Sequence, residues 1–313
     1  MVHISVVWLT KLFYDVPRFM TRLLLLGGSG QLGKAIQVFA DASWNVQAPG
    51  SDLLNLSQPG DIKRFITQHK PNVVVNCAAY TKVDGAESER EFAFQVNGVA
   101  PGVMALAARN VGAQFIHVST DYVFDGTGDI PYQTFAATNP LNAYGASKLS
   151  GEIAVARENP EAVVIRTSWI HSGGGGNFVA TVVRLLKSGQ SMRVVDDQIG
   201  VPTRAANLAY AILSLVERRD VVGLLHFTDS GVASWYDVAE CVLDTMRMSG
   251  CVADDVKVSP IESSEYPVAA KRPKVSLLST HTSRKTIGWT PPHWREGVVA
   301  STRELLSRSL REP

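Results

Sequence analysis

"LLLLGGSGQLGKA", Leu23 to Ala35, is the stretch on which the rest of the reading turns. Four consecutive leucines suit a strand buried on both faces of a sheet. The turn after them spaces its glycines Gly27-x-x-Gly30-x-x-Gly33, and Gly28 adds another. A helix is expected from Gln31 to Ala40. Glycines permit the tight turn and let an anion approach the main chain, while the helix N-terminus offers free N–H groups to a pyrophosphate. The spacing departs from G-x-G-x-x-G, and a plain glycine-rich connection is the competing reading. The strand-turn-helix setting is nevertheless the one a dinucleotide site needs.

Short apolar runs recur downstream: "NVVVNCA" (72–78), "QFIHVST" (114–120), "AVVIRTS" (162–168) and "GLLHFTD" (223–229). Helix-length segments lie between them, at Pro59–His69, Glu87–Asn110 and Ala143–Arg157. Such alternation predicts an α/β fold, a Rossmann-type doubly wound parallel sheet with right-handed crossovers. After Trp169 the pattern loosens, through "HSGGGGN" (171–177) and "YPVAAKRPKV" (266–275). The expected organisation is residues 21–169 with 206–229 as the dinucleotide-binding domain. Residues 170–205 with 230–313 form a smaller α/β substrate domain, and residues 1–20 are an N-terminal extension. The extension reads as translation from an upstream start, because Met20 stands just before the first strand; a peripheral strand or helix is the alternative.

The 313 residues carry a formal charge of +1, from 30 basic and 29 acidic side chains, which leaves no overall field to hold nucleic acid or an anionic membrane. "ISVVWLT" is too short to span a bilayer. Cys77, Cys241 and Cys251 have neither zinc-ligand spacing nor the density of a disulfide scaffold, which fits a cytoplasmic protein. No metal site is read.

In "NAYGASKLSGE" (142–152), Tyr144 and Lys148 stand four residues apart, on one helix face. A phenol near a cation makes a better proton donor to a forming alkoxide, so Lys148 is expected to lower the pKa of Tyr144. The small residues between them would let a flat cofactor lie against the helix. "HVSTDYVFDG" (117–126) ends a strand in Ser119 and Thr120, whose hydroxyls would sit at the ligand-binding edge of the sheet unless they only cap a turn. The second strand, in "WNVQAPGSDLLNL", ends without an acid for the ribose or an Arg for a 2′-phosphate, so NADH and NADPH are not distinguished.

These motifs, with "NCAAYTKVDGAE" (76–87), "VNGVAP" (96–101), "RTSW" (166–169), "NFV" (177–179), "DQIGVPT" (197–203) and "RPKVSLLST" (272–280), resemble the extended short-chain dehydrogenase/reductase superfamily. More closely they resemble its dTDP-4-dehydrorhamnose reductase family, over about residues 21–300. The resemblance implies NAD(P)H-dependent reduction of a nucleotide-diphosphate sugar, with Thr120, Tyr144 and Lys148 as catalytic residues. It implies Gly27, Gly30, Gln31, Leu32 and Gly33 at the pyrophosphate and Asp52 and Leu53 near the adenine. Ala78, Ala79 and Tyr80, after the fourth strand, would line the ribose side, with Asn97 in support. Asp121, Tyr122 and Trp169 would touch the sugar, and Asn177, Gln198, Thr203 and Arg272 the nucleotide half. Core packing for Trp169, a solvated surface for Arg272, and turn or cap roles for Asp52, Tyr80, Asn97, Asn177, Gln198 and Thr203 are the plainer readings.

Some members of the family bind magnesium at a dimer interface. No residues here match that site, and a homodimer is left open by the small residues Ala143, Gly145, Ala146 and Gly151. A dehydratase of the superfamily would carry an acid after Thr-Asp, where this chain has Tyr122. The chain also resembles the regulatory β subunit of methionine adenosyltransferase, a binding protein on the same scaffold, which keeps a non-enzymatic alternative open.

Overall fold

The computed structural model describes residues 20–41, 43–216 and 218–309. The expected N-terminal extension lies outside them, Met20 excepted. In chain order the first half runs β1 (Thr21–Leu26), α1 (Gln31–Phe39), β2 (Trp44–Gln47), α2 (Pro59–His69), β3 (Val73–Asn76), α3 (Gly85–Ser88) and α4 (Arg90–Phe94). A π-helical turn (Gln95–Val99), α5 (Ala100–Asn110), β4 (Gln114–Thr120), a 3-10 turn (Asp121–Val123), α6 (Ala143–Glu158) and β5 (Val163–Thr167) follow. The remainder is β6 (Ile170–His171), α7 (Phe178–Lys187), β7 (Met192–Val195), β8 (Ile199–Gly200), β9 (Thr203–Arg204), α8 (Ala205–Leu215) and β10 (Gly223–His226). It closes with β11 (Ala233–Ser234), α9 (Trp235–Met248), β12 (Val258–Ile261), α10 (His281–Ile287) and α11 (Trp294–Ser309).

Six strands form one parallel sheet in the order β2-β1-β3-β4-β5-β10. This is a Rossmann-type doubly wound sheet, whose order reverses between β1 and β3. The four leucines of β1 split by parity. Leu23 and Leu25 join Val73, Val75, Ile116 and Ile165 under α1 and α8. Leu24 and Leu26 join Val74, Phe115 and Val164 under α2 and α5. Period-two geometry sends successive side chains to opposite faces, so an unbroken apolar run is what a doubly covered strand requires. Each such burial stabilises by about 1.5–3 kcal/mol.

Two expectations are corrected. No strand intervenes between β2 and α2, so Ala78, Ala79 and Tyr80 follow the third strand and not the fourth. The chain leaves β2 through Ala48-Pro49-Gly50, where proline cannot donate to a ladder. The single helix expected over 87–110 is divided. Glu89 leaves helical geometry (φ −104°, ψ 39°), and Ala100 donates its N–H to Gln95 five residues back. Pro101 has no N–H for the Asn97 carbonyl, which packs instead against Gly151 of α6.

A second core gathers Val182 and Leu186 of α7, Val238, Val242 and Met246 of α9, and Val298 and Leu306 of α11, over Val194 and Val258 of the parallel β7–β12 pair. Here the structure is more regular than the sequence pattern. The start of α9 is marked by a capping box in which Ser234 and Asp237 each bond the other's main-chain N–H.

Candidate active site

The glycine turn is built for close approach. Gly27 has φ +82°, and a Cβ there would stand 2.6 Å from the main-chain nitrogen of Ala78. A Cβ on Gly33 would overlap the carbonyl of Gly27. No side chain caps α1 at Gly30, so the N–H groups of the first turn stay open to an anion. The turn opens on a cavity of about 1120 Å³. That exceeds the roughly 300–1,000 Å³ of most small-molecule sites and suits two ligands side by side. An uncapped helix terminus, a side-chain-free turn and this volume together fit a dinucleotide.

The C-terminal ends of β4 and β5 form the inner wall, where Thr120 and Thr167 are register partners. Tyr144 lines the cavity beside them, in the first turn of α6. That turn is anchored by Asn142, which accepts from the Gly145 N–H at 2.8 Å and donates to the Lys271 carbonyl at 2.7 Å. Burial pushes the Tyr144 phenol up to about 12; a hydrogen bond with Thr120 opposes the rise, and the Asp121 charge adds to it. Lys148 is buried and donates from Nζ to the Val118 carbonyl at 2.7 Å. Burial pulls its ammonium down to about 8, against the opposing pull of Glu152 and Cys77.

The structure therefore revises the expected tuning. Thr120, not Lys148, counters the burial of Tyr144, and the Lys148 ammonium is engaged by the Val118 carbonyl of β4. The small residues between the two are also not a cofactor shelf. Gly145 sits against the Tyr122 carbonyl, and Ser147 donates to the Tyr144 carbonyl at 2.7 Å and accepts from Asn97 at 3.0 Å. Positions one and two residues along a helix turn away from the first residue's face.

Of the other expected residues, Gly27, Gly30, Gln31, Leu32, Gly33, Ala78, Ala79, Trp169 and Asn177 line the cavity. Its far wall passes through Gly50, Ser51 and Leu54 and leaves out Asp52 and Leu53, which point to solvent. Tyr80 turns its ring into an apolar cluster. Asn97 holds Tyr80's main chain from both sides, accepting from its N–H at 2.8 Å and donating to its carbonyl at 3.0 Å. Asp121 is buried next to Thr120, and burial raises its carboxyl to about 7. Tyr122 packs edge-on to Tyr144 with ring centres 5.8 Å apart. Arg272 hydrogen-bonds Tyr122 and is paired with Asp84 at 2.7 Å, so its charge is already matched within the chain. Gln198 and Thr203 lie off the cavity wall; Thr203 is buried in β9 opposite Ile170.

Three features of the wall escaped the sequence reading. The loop Ser172–Asn177 folds over the glycine turn, with Gly173, Gly174 and Gly175 packed against Glu304, Arg308 and Gln31 respectively. Trp235 stacks flat on Trp169, with ring centres 3.7 Å apart and planes 9° apart. Trp169 itself is in left-handed backbone geometry (φ 44°), and a Cβ on Gly200 would stand 2.6 Å from its ring. One face of the expected apolar wall is thus taken by a second indole. The Thr167 hydroxyl, finally, is buried on the cavity wall without a hydrogen-bond partner. Only its place at the end of an apolar run could have signalled it.

The profile of the family described as RmlD substrate binding domain matches residues 20–307. The chain belongs to this family. It is 39% identical over 297 residues to the dTDP-4-dehydrorhamnose reductase of Burkholderia thailandensis, covering 92% of this chain and all of that protein. Among solved structures, a dTDP-4-dehydrorhamnose reductase from Clostridium acetobutylicum superposes with a TM-score of 0.84 at 36% identity, covering 92% of this chain and 100% of the other. The Bacillus anthracis enzyme, solved in complex with NADP, gives 0.83 at 32% identity, covering 92% and 99%. The RmlD family match takes in both the glycine turn and the second core. Among the described residues, no group of three or more His, Cys, Asp or Glu side chains is placed to hold a metal ion, and no helix is long and apolar enough to cross a membrane.

Proposed function

We propose that this chain is an NAD(P)H-dependent dTDP-4-dehydrorhamnose reductase, converting the C4 ketone of dTDP-4-dehydro-β-L-rhamnose to the alcohol of dTDP-L-rhamnose. The observation that carries the reading is the Tyr144 phenol, which lines a glycine-edged cleft together with Thr120, in a chain 39% identical to such an enzyme over nearly its whole length. When bound, the reduced nicotinamide supplies hydride.

The chain's own residues do the rest. Gly27, Gly30 and Gly33 with the N-terminus of α1 hold the pyrophosphate. Tyr144, neutral across the physiological range, donates its phenolic proton to the ketone oxygen. Thr120 keeps that phenol aimed, and Lys148 supplies positive charge behind it for the nicotinamide ribose. Orientation and matched proton transfer are the sources of rate. Residues 170–205 with 230–309, built on the second core, take the sugar nucleotide against the Trp169–Trp235 stack. Tyr122, standing where a dehydratase needs an acid, disfavours elimination. A cytoplasmic site of action fits a nucleotide-sugar substrate.

The test is to mix purified protein with NADPH or NADH and dTDP-4-dehydro-β-L-rhamnose and follow nicotinamide absorbance. Cofactor oxidation with formation of dTDP-L-rhamnose is expected. Tight cofactor binding without turnover would replace the enzyme reading with a regulatory one.

A further inference from the structure

Tyr80 stands between two residues of the cleft, since Ala79 and Thr81 line the cavity on either side of it. Its own ring turns inward and packs with Ala86, Ala93 and Ala143, the cluster against which Tyr144 also lies. Its main chain is held by Asn97, which accepts from the Tyr80 N–H at 2.8 Å and donates to the Tyr80 carbonyl at 3.0 Å. The side-chain amide of Asn97 also donates to the Ser147 hydroxyl at 3.0 Å. That hydroxyl in turn donates to the Tyr144 carbonyl at 2.7 Å. Asn97 and Ser147 are 1% and 0% exposed.

The direction of this chain of bonds is fixed. The Tyr80 N–H can only donate, so the Asn97 oxygen faces it and the amide nitrogen faces Ser147. Ser147 then accepts from Asn97 and has its own hydrogen for the Tyr144 carbonyl. A serine bonding back to a carbonyl of its own helix is ordinary. Taking a second bond from an element 50 residues away is not a local habit of helices. The π-helical turn brings that bond within reach. Asn97 lies at the middle of Gln95–Val99, and a Cβ on Gly151 of α6 would stand 2.1 Å from the Asn97 carbonyl. Such turns are frequent at functional sites. The segment after Tyr80 reaches α6 once more, where Glu87 accepts from the Ala143 N–H at 2.8 Å at the first residue of the helix. A buried network with its donors and acceptors matched makes the parts it joins rigid.

We infer that Ser147 is a positioning residue: its hydroxyl, through Asn97, fixes the turn that carries Tyr144 against the cleft wall at Ala79 and Thr81. The proton donor and the wall that receives the cofactor are thereby parts of one rigid piece. The inference rests on the reductase reading for its turnover consequences, whereas its cofactor-binding consequence stands apart from the identity of the sugar.

The test compares native protein with Ser147→Ala and Ser147→Cys, by fluorescence titration with NADPH and by steady-state kinetics. Alanine removes the hydroxyl; cysteine keeps a side chain of near-native size with a much weaker hydrogen-bonding group. In both, the Kd for NADPH is expected to rise about three- to tenfold, the worth of one to two neutral hydrogen bonds. A fall of about tenfold in kcat is expected from misplacement of the phenol. KM for the sugar nucleotide should stay near native, a split that a general loosening of the structure would not give. Thermal melts restrict the comparison to folded protein, and if Ser147→Ala does not fold, the cysteine variant decides. A native Kd or a native kcat in the folded variants, or an equal rise in the constants for both ligands, overturns the inference. So does a native Kd in Ser147→Cys beside a raised one in Ser147→Ala, which would mean that only packing matters. A raised Kd in protein that, like the native chain, reduces no sugar nucleotide would leave it standing and sink the reductase reading.

Discussion

The side-chain amide of Asn177 donates to Oε1 of Gln31 at 2.8 Å, joining the start of α7 to the first residue of α1 across 146 positions of sequence. Ser172 donates to the same oxygen at 2.9 Å. Gln31 is therefore the clasp by which the glycine loop closes over the pyrophosphate turn. Gln31→Ala removes both bonds without touching a helix cap. NADPH affinity is expected to fall about three- to tenfold, the worth of one to two neutral hydrogen bonds, with kcat little changed. Asn177→Ala should lose about 1 kcal/mol more in a thermal melt, because Asn177 also caps α7 by accepting from the Ala180 N–H. Unaltered NADPH binding in Gln31→Ala would mean that the clasp has no part in holding the cofactor.

Tyr144→Phe leaves the ring and its packing on Tyr122 but removes the transferable proton. Turnover is expected to drop about 10²–10⁴-fold while NADPH binding stays close to native. A rate near the native one would assign the proton to another group.

The pH profile follows from the two shifts. Tyr144, pushed up to about 12, keeps its proton through neutrality and beyond. Lys148, drawn down to about 8, is charged below that value and neutral above it. For native enzyme kcat/KM should be level on the acid side of this value and decline as pH rises through about 8. A profile that stays flat to the titration of an ordinary lysine would show that the Lys148 charge is not required.

The free hydroxyl of Thr167 offers a ligand contact that Thr120 does not, since Thr120 already donates to Asp121 and accepts from the Tyr122 N–H. Thr167→Val keeps the shape and discards the donor. KM for the sugar nucleotide or for NADPH should rise about three- to tenfold, with Thr167→Ser restoring it. Identical constants in all three proteins would assign that hydroxyl to water.

Trp235→Ala strips the stack from Trp169, whose left-handed backbone then loses its support. Aromatic pairing is worth about 0.5–1.5 kcal/mol beyond burial, so loss of the stack destabilises. The expected result is a lower Tm together with a raised KM for the sugar nucleotide, NADPH affinity being retained. Loss of Tm with unchanged KM would confine Trp235 to a structural part.

Much of the fold was legible because strand and helix periodicities are local. The run Leu23–Leu26 could only be a doubly covered strand, and Gln114–Thr120 and Pro59–His69 have the bounds their patterns predicted. The π turn around Asn97 was hidden, because apolar spacing there is helical throughout and the interruption comes from Pro101 and from the contact between Gly151 and the Asn97 carbonyl; nothing in the structure explains the break at Glu89. Past Trp169, short strands pair with distant partners, such as β7 with β12, and carry little local signal.

By itself the chain determined which chemical groups were available: a side-chain-free turn ahead of a helix, and a phenol and an ammonium one helical turn apart. Only the tertiary structure decided what those groups face. Hydrogen bonding and burial depend on neighbours far away in sequence, so it took the packed sheet to set Thr120 against Tyr144, turn Lys148 to Val118, match Arg272 with Asp84, and bring Asn177 to Gln31.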